Sequence, residues 1–479
     1  MTSQPVGARR DWRLVPGGCL VWAGCGAGVG LPGTAVWLVV LSLLVVALGL
    51  LRCLRRDLYR HDGHRPRDRR RSRGRHRRVP VRSVHATAVL SVLLAAAVLA
   101  TVAPRVEQRA EQVRALDGVT ETVRLRLTGD PVELTQGTGV RIEATLLGVG
   151  THPGTALPVL VLADDRWSEA ATGAMVRVNA RLSATDPGDS RAMLVMPEGP
   201  GARDPPQGWR AIVADLRAGL VSASAPLPPA SRGLVPGIAV GDDRAMPPAL
   251  QEAMRRTSLT HLTAVSGAHV ALVLGLVLTL LWWAPRNLQA VVGGLVLVAF
   301  VALVHPDGSV LRSAVMGGVL LLGLWLRRPR AALPALASAV VLLLGVDPWM
   351  ARSYGFALSV LATGGLLVGS RALAAWLGRW LPAPLAMGLA VPVAAQIACT
   401  PVLLLLEPAI PLYAVPANLM AAPVVAPATI LGLAVALLGP VAPAATDLLV
   451  HAASWCTAWI AAVAHGWAGL PGASLPVLP

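Results

Sequence analysis

Between Arg256 and Trp283 the chain reads RTSLTHLTAVSGAHVALVLGLVLTLLWW, and its polar residues crowd into the first half. Ser258, Thr260, His261, Thr263, Ser266 and His269 enter one after another ahead of an unbroken hydrocarbon run. Three chemistries use such residues. A serine beside a histidine is the pattern of an activated nucleophile, so Ser266 with His261 or His269 as base would make an intramembrane serine hydrolase. Hydroxyls and imidazoles also line hydrophilic passages through membranes. The third use is structural, with hydroxyls bonded back to their own helix and histidines capping partners in a bundle. Spacing weighs against the first. Ser266 and His269 are three residues apart and share a face if the segment is helical. A base one turn away on the same helix reaches its nucleophile at a poor angle. Gly267 between them permits close packing or a kink.

Similar residues recur further on. HPDGSVLRSAVMGG places Arg312 and Ser313 just inside an apolar run, and GVDPWMARSYGFALSVLATGG sets Asp347 and Arg352 at the edge of another. AAQIACTP embeds Gln396 and Thr400, and VPANLMAAPVVAP embeds Asn418. Polar groups in hydrocarbon cost several kcal/mol unless satisfied, so they face a bundle interior or a wet cavity. Anion passages are lined by Arg or Lys, so this set suggests a path for something polar and negative. A polar small-solute transporter is the remaining reading; it predicts inverted repeats with matched broken helices, and no convincing internal repeat is present. Upstream, GLVPGIAVGDDRAMPPALQEAMRRT offers Gly241, Asp242 and Arg244 as a loop ion pair or gate. Pro247 and Pro248 then start a short helix, whose Arg255 and Arg256 suit its C-terminal dipole.

The elements that hold these residues are membrane helices. The chain has 479 residues, 54% of them hydrophobic, and carries a formal net charge of +16. That apolar share is too large for an ordinary soluble domain, and it comes in runs of the roughly 20 residues a bilayer-spanning helix needs. Every basic residue is arginine. The five cysteines lie in or beside apolar runs and form no CxxC pair, so neither a structural disulfide nor a metal site is expected; no cofactor is expected either. Arg9 and Arg10 ahead of the first apolar run suggest an uncleaved hairpin, broken at Leu31-Pro32-Gly33. Residues 51–82 hold fourteen arginines against three aspartates, the composition of a cytoplasmic, topogenic loop.

One span follows at 84–102. Eight more are expected near 264–284, 287–304, 310–326, 331–346, 355–370, 385–406, 412–438 and 446–468. The total is about eleven spans. The segment from Arg105 to Trp209 differs. TVRLRLTGD, VRIEATLLGVG, LPVLVLADD, AMVRVNARLSATD and RAMLVMPEG alternate with period two between Gly, Pro and Asp, which reads as five strands and suits an OB-type barrel. The expected fold is therefore a polytopic α-helical membrane protein with an inserted, extracellular all-β OB-like domain. Its parts are N-terminal membrane helices with the arginine-rich loop over 1–104, the barrel over 105–210 and a membrane channel domain over 211–479. A segment at 209–222 could lie along the membrane surface. Arg286, the Arg327/Arg328/Arg330 cluster and Arg371 with Arg379 fall on alternate connections, all inside if the barrel is outside.

The block GLVPGIAVGDDRAMPPALQEAMRRTSLTHLTAVSGAHV resembles the signature of the ComEC competence family, roughly G-L-x-x-G-x-x-x-G-D, a proline-started helix, then H-L-x-A-V-S-G-x-H-V. Gly233, Gly237, Gly241, Asp242, His261, Leu262, Ala264, Val265, Ser266, Gly267, His269 and Val270 match it. Further blocks match at Arg312 to Met316, at Asp347-Pro348 with Gly355, Phe356, Leu358 and Ser359, and at Ala395-Gln396, Thr400-Pro401, Ala417-Asn418-Leu419 and Pro423. The likeness covers roughly 230–440, and the barrel is similar to the family's extracellular OB-type domain. Where the family has an aromatic residue and a glycine in the pre-histidine helix, this chain has Met254 and Ser258; Ala357 replaces a usual polar residue.

The resemblance implies passage of a single DNA strand through the cytoplasmic membrane in natural transformation, a multi-pass cell-membrane protein and no covalent chemistry. On that reading His261, Ser266, His269, Arg312, Ser313, Gln396 and Asn418 border the path, and Gly241, Asp242, Arg244, Asp347 and Arg352 shape its entrance. The partners it implies are single-stranded DNA, membrane lipid, a membrane DNA receptor and a cytoplasmic ATPase, since the chain has no GxxxxGK[ST] loop. Many family members carry a C-terminal metallo-β-lactamase-like domain. The chain ends at Pro479 without an H-x-H-x-D-H motif, so the nuclease is expected on a separate protein. One chain or a homodimer would build the pore. The barrel segment, 105–209, has eleven arginines and fourteen acidic residues, and Trp167 and Trp209 are its aromatic residues. That is a poor inventory for stacking and gripping a strand.

Overall fold

Run length and period decide the elements. The computed structural model describes residues 12–62, 81–134, 138–150, 152–304, 308–326, 332–406, 409–471 and 474–476. Most of the arginine-rich run, Arg9 and Arg10, and the Arg327/Arg328/Arg330 cluster lie outside these. Three helices come first, α1 (Val15–Gly28), α2 (Gly33–Asp62) and α3 (Val81–Leu116). Strands β1 (Thr120–Leu127), β2 (Val132–Glu133), β3 (Val140–Val149), β4 (His152–Ala163), β5 (Met175–Ala184), β6 (Met193–Pro197) and β7 (Ala202–Asp204) follow. Helices then continue with α4 (Trp209–Ser224), α5 (Pro229–Val240), α6 (Pro248–Arg256), α7 (Gly267–Leu280), α8 (Arg286–Val304), α9 (Gly308–Trp325) and α10 (Ala332–Val346). The last are α11 (Tyr354–Leu377), α12 (Ala383–Leu406), α13 (Ala414–Leu438) and α14 (Pro443–Ala468), with short strands β8 (Ala409–Pro411) and β9 (Ser474–Pro476).

Two compact units result. The first comprises the chain up to Glu111, the loop Asp186–Asp189 and Ala331–Arg352. In it α1 packs along α10 and the 3-10 turn Pro348–Arg352. Arg105 caps the end of α10 by donating to Gly345 O at 2.6 Å. Arg109 lies 4.2 Å over the Trp349 ring and donates to Asp189 O at 2.7 Å.

The second unit holds the barrel. Its five long strands close in the order β1-β3-β4-β6-β5 and back to β1, with β4 parallel to β6 and the other pairs antiparallel. That is the five-stranded OB-type closure, with β2 and β7 added at its margins. Alternation fixes the register: Val123 faces Val178 and Leu125 faces Val176, all four buried, while Arg124 and Arg177 pair on the outer surface. Register shifts at Arg124/Leu125 and Leu146/Gly148 bend the strands toward closure. The expected barrel domain begins at 105; in the structure helix α3 continues to Leu116 and the first strand starts at Thr120.

Eight helices among the described residues are long and apolar enough to cross a membrane, beside two shorter apolar ones, Val310–Trp325 and Ala332–Val346. The chain is a multi-pass membrane protein. Within the second unit α11 packs along α12, α13 along α14, and α7 against α8 and α9. Short α5 is buried along nearly its whole length between α13 and α14. Segment 209–222 is helix α4, packed on α5 and α13, with Arg217 and Leu220 buried.

Candidate functional site

The segment around His261 is not one helix. Thr260–Leu262 is a 3-10 turn, Ser266 has extended backbone at φ −125° and ψ 176°, and α7 starts at Gly267. Ser266 and His269 are thus joined by the cap, not by a shared helical face. Ser266 is the N-cap and His269 the third helical residue of a capping box. His269 Nδ1 accepts from Ser266 N–H at 3.1 Å and lies 3.2 Å from Ser266 Oγ. An imidazole nitrogen occupied by a backbone N–H is a poor base for a serine, so the geometry speaks against an activated nucleophile. In the neutral imidazole the proton then sits on Nε2. That atom is buried and has no hydrogen-bond partner among the described residues.

Beside this cap lies Arg312 of α9, 3% exposed. Its Nε donates to Ser359 Oγ at 2.9 Å, Nη1 to Thr363 Oγ1 at 3.1 Å and Met316 Sδ at 3.3 Å, and Nη2 to Ser313 Oγ at 3.1 Å and to Ser359. Among the described residues no carboxylate pairs with it. Gly267 makes the approach of α7 possible. A Cβ there would stand 2.7 Å from Ser313 Oγ and 3.3 Å from Arg312 Nη2.

His261 and Asn418 meet elsewhere, at the carbonyl of Ser258: His261 Nδ1 donates to it at 2.9 Å and Asn418 Nδ2 at 3.5 Å. Gln396 sits half-buried on α12, and Thr400 donates back to its carbonyl at 2.7 Å. No described hydrogen bond joins the Gln396 side chain to the other candidates.

The loop Gly241–Arg244 is built on α5. Gly241, at φ +79°, stops that helix and returns its N–H to Gly237 O at 3.0 Å. The turn buries Asp242, which accepts from Arg244 at 2.8 and 2.6 Å. Burial would raise the Asp242 pKa, but the Arg244 bond and the charges of Arg244 and Arg217 hold it below the usual carboxylate value. Arg217, missed in the sequence, is the centre of this cluster. Its Nη2 donates to Asp130 Oδ2 of the β1–β2 turn at 2.5 Å and lies 4.0 Å from Asp242. Its Nη1 caps the ends of two helices, at Val240 O (2.8 Å) and Leu303 O (3.2 Å). Thr172 holds the other Asp130 oxygen at 2.5 Å.

Asp347 and Arg352, grouped with the entrance by sequence, belong to the first compact unit. Asp347 accepts from Trp349 N at 3.1 Å, and Arg352 donates to Gly26 O at 2.7 Å. Burial pushes the Asp347 pKa up against the backbone bonds from Trp349 and Met350 and the charges of Arg109 and Arg105. Trp167 is fully buried in the barrel core with Arg203 stacked 5.0 Å away, and so presents no face to a base.

A helical membrane core with a cationic, hydroxyl-rich centre and an appended OB-type barrel defines the class. A family model described as Competence protein matches residues 238–479, just over half of the chain, and the chain belongs to that family. ComE operon protein 3 of Bacillus subtilis (strain 168) is 32% identical over 169 residues, 34% of this chain. The match spans only 22% of that relative's length. No solved structure matches the chain.

Proposed function

We propose that this chain builds, alone or with a second copy, the passage by which single-stranded DNA crosses the cytoplasmic membrane in natural transformation. Family membership supports a role in competence and DNA uptake. The observation that carries the finer reading is Arg312, a buried guanidinium whose nitrogens are all held by neutral groups. A buried charge is ordinarily paired. Left unpaired, it projects a positive potential into a low-dielectric surround. A strand carries a charge on every phosphate. A cation with its donors already engaged attracts phosphates without trapping them, the balance conduction requires. The buried N–H of His269, with no acceptor among the described residues, adds a further polar group next to Ser266.

On this reading the barrel lies outside, because Arg286, Arg371 and Arg379 then all lie inside. Asp242 and Arg244 frame the outer mouth. A membrane receptor delivers the strand, a cytoplasmic ATPase draws it in, and a nuclease degrades its complement. The test is Arg312→Gln, which removes the charge and keeps a hydrogen-bonding side chain. Labelled DNA should no longer reach a nuclease-protected pool, at an unchanged level of protein in the membrane. Wild-type uptake in that variant overturns the assignment.

A further inference from the structure

A groove of about 330 Å³ runs along α1 in the first compact unit, lined by Cys19, Trp22, Ala23, Gly26 and, from the turn Pro348–Arg352, Ala351. The four α1 residues recur at i, i+3, i+4 and i+7, which is one face of a helix. At 1.5 Å of rise per residue they cover about 10 Å of depth. The Trp22 indole N–H is engaged by Ala351 O at 2.9 Å, and a free thiol such as that of Cys19 behaves as a small apolar group, so the surface offered is apolar. Arg352 stands at the Gly26 end. Its Nε donates to Gly26 O at 2.7 Å, and no described residue accepts from Nη1 or Nη2. The residue is exposed. Two glycines make room for its guanidinium: a Cβ at Gly30 would overlap Nη2, and one at Gly188 would overlap Nη1. A guanidinium with two nitrogens to spare matches two oxygens of one phosphate.

We propose that this groove seats one anionic glycerophospholipid, its phosphate on Arg352 Nη1 and Nη2 and an acyl chain along Gly26, Ala23, Trp22 and Cys19. Charge complementarity selects the headgroup. No carboxylate among the described residues pairs with Arg352, so a lipid of net negative charge supplies the missing partner. A choline headgroup brings its own cation against the guanidinium and fits less well. The apolar face below selects a lipid over a soluble phosphate, because only a hydrocarbon chain gains from covering it. A seated lipid bridges α1 and the turn that follows α10, two elements that already pack together. It lies in the outer leaflet if the barrel is outside, the one point at which this inference leans on the transport reading.

Native mass spectrometry of the full chain, released from detergent micelles doped with phosphatidylglycerol or phosphatidylcholine of the same chain length, tests the seat. The wild-type chain should retain one phosphatidylglycerol severalfold more than one phosphatidylcholine. Arg352→Gln should abolish that preference, and Arg371→Gln, at another exposed arginine, should keep it. Cys19→Trp fills the far end of the groove at an exposed position and leaves Arg352 untouched. It should cut retention of phosphatidylglycerol severalfold, so the test does not hang on the folding of one variant. Glycerol phosphate, which has the headgroup and no chain, should not displace the lipid. Equal retention of the two lipids by the wild-type chain, an undiminished preference in Arg352→Gln, unchanged retention in Cys19→Trp, or displacement by glycerol phosphate overturns the seat. No readout involves DNA, so failure here leaves the transport reading to its own test.

Discussion

His261, on the turn ahead of α7, and Asn418, on α13, donate to one acceptor, the Ser258 carbonyl, at 2.9 and 3.5 Å. The bond from Asn418 ties α13 to the turn ahead of α7. Asn418→Ala should lower stability by about 1 kcal/mol, the usual worth of a hydrogen bond. Combined with His261→Ala, a double-mutant cycle should show coupling, since the two residues share a partner. Thermal unfolding in detergent reads both. Strict additivity would mean that the shared carbonyl transmits nothing.

Ser258 itself has φ +55°, the one non-glycine residue at positive φ among the described residues. The turn needs left-handed backbone there, which glycine adopts at no steric cost. A side chain there costs roughly 1 kcal/mol. Ser258→Gly should therefore raise the thermal midpoint, and Ser258→Val should lower it while depleting the folded protein.

Much of the fold was legible because run length and period are direct readouts of burial. The five long strands fall where alternation placed them, and the breaks at Leu31-Pro32-Gly33 and Pro247-Pro248 separate helices as expected. The candidate site was legible residue by residue but not in its grouping. Ser266 and His269 meet through a cap, a geometry that helical spacing does not anticipate. Thr363 gave a faint signal, one turn beyond Ser359 on the same face of α11 in an apolar run. Arg217 gave none. An arginine on an amphipathic helix resembles a solvated one, and Asp130 in Thr-Gly-Asp-Pro resembles an ordinary turn residue.

The Arg217–Asp130 pair is buried on the arginine side, at 8% side-chain exposure. Breaking such a pair from one side strands a charge and costs several kcal/mol, about 3–5 when burial is complete. Asp130→Ala should thus be more damaging than an exposed change such as Glu252→Ala. The double change Arg217→Met with Asp130→Leu should recover part of the loss. Folded yield by size-exclusion chromatography, followed by thermal unfolding, decides between the two.

Asp242 and Asp243 predict opposite pH slopes. Asp242 has its pKa lowered in the fold, so its stabilisation is present above the ordinary carboxylate value and is lost as pH falls through the lowered one. Asp243 has its pKa raised, so the folded state holds the extra proton and stability falls as pH rises from the ordinary value through the raised one. Asp243→Asn should flatten the alkaline side of the stability profile and leave the acid side. The opposite pattern would show the two environments to be exchanged.

The central claim is that a strand passes Arg312 and its hydroxyl neighbours. The most direct measurement places a photo-crosslinking amino acid at Thr363, which bonds Arg312, and at Leu405 of α12, which is 74% exposed and faces lipid on this account. Cells are then illuminated during uptake of labelled DNA. The account predicts crosslinks to single-stranded DNA from position 363 and none from 405. Uptake that proceeds with no crosslink at 363, or equal crosslinking at both positions, would contradict it.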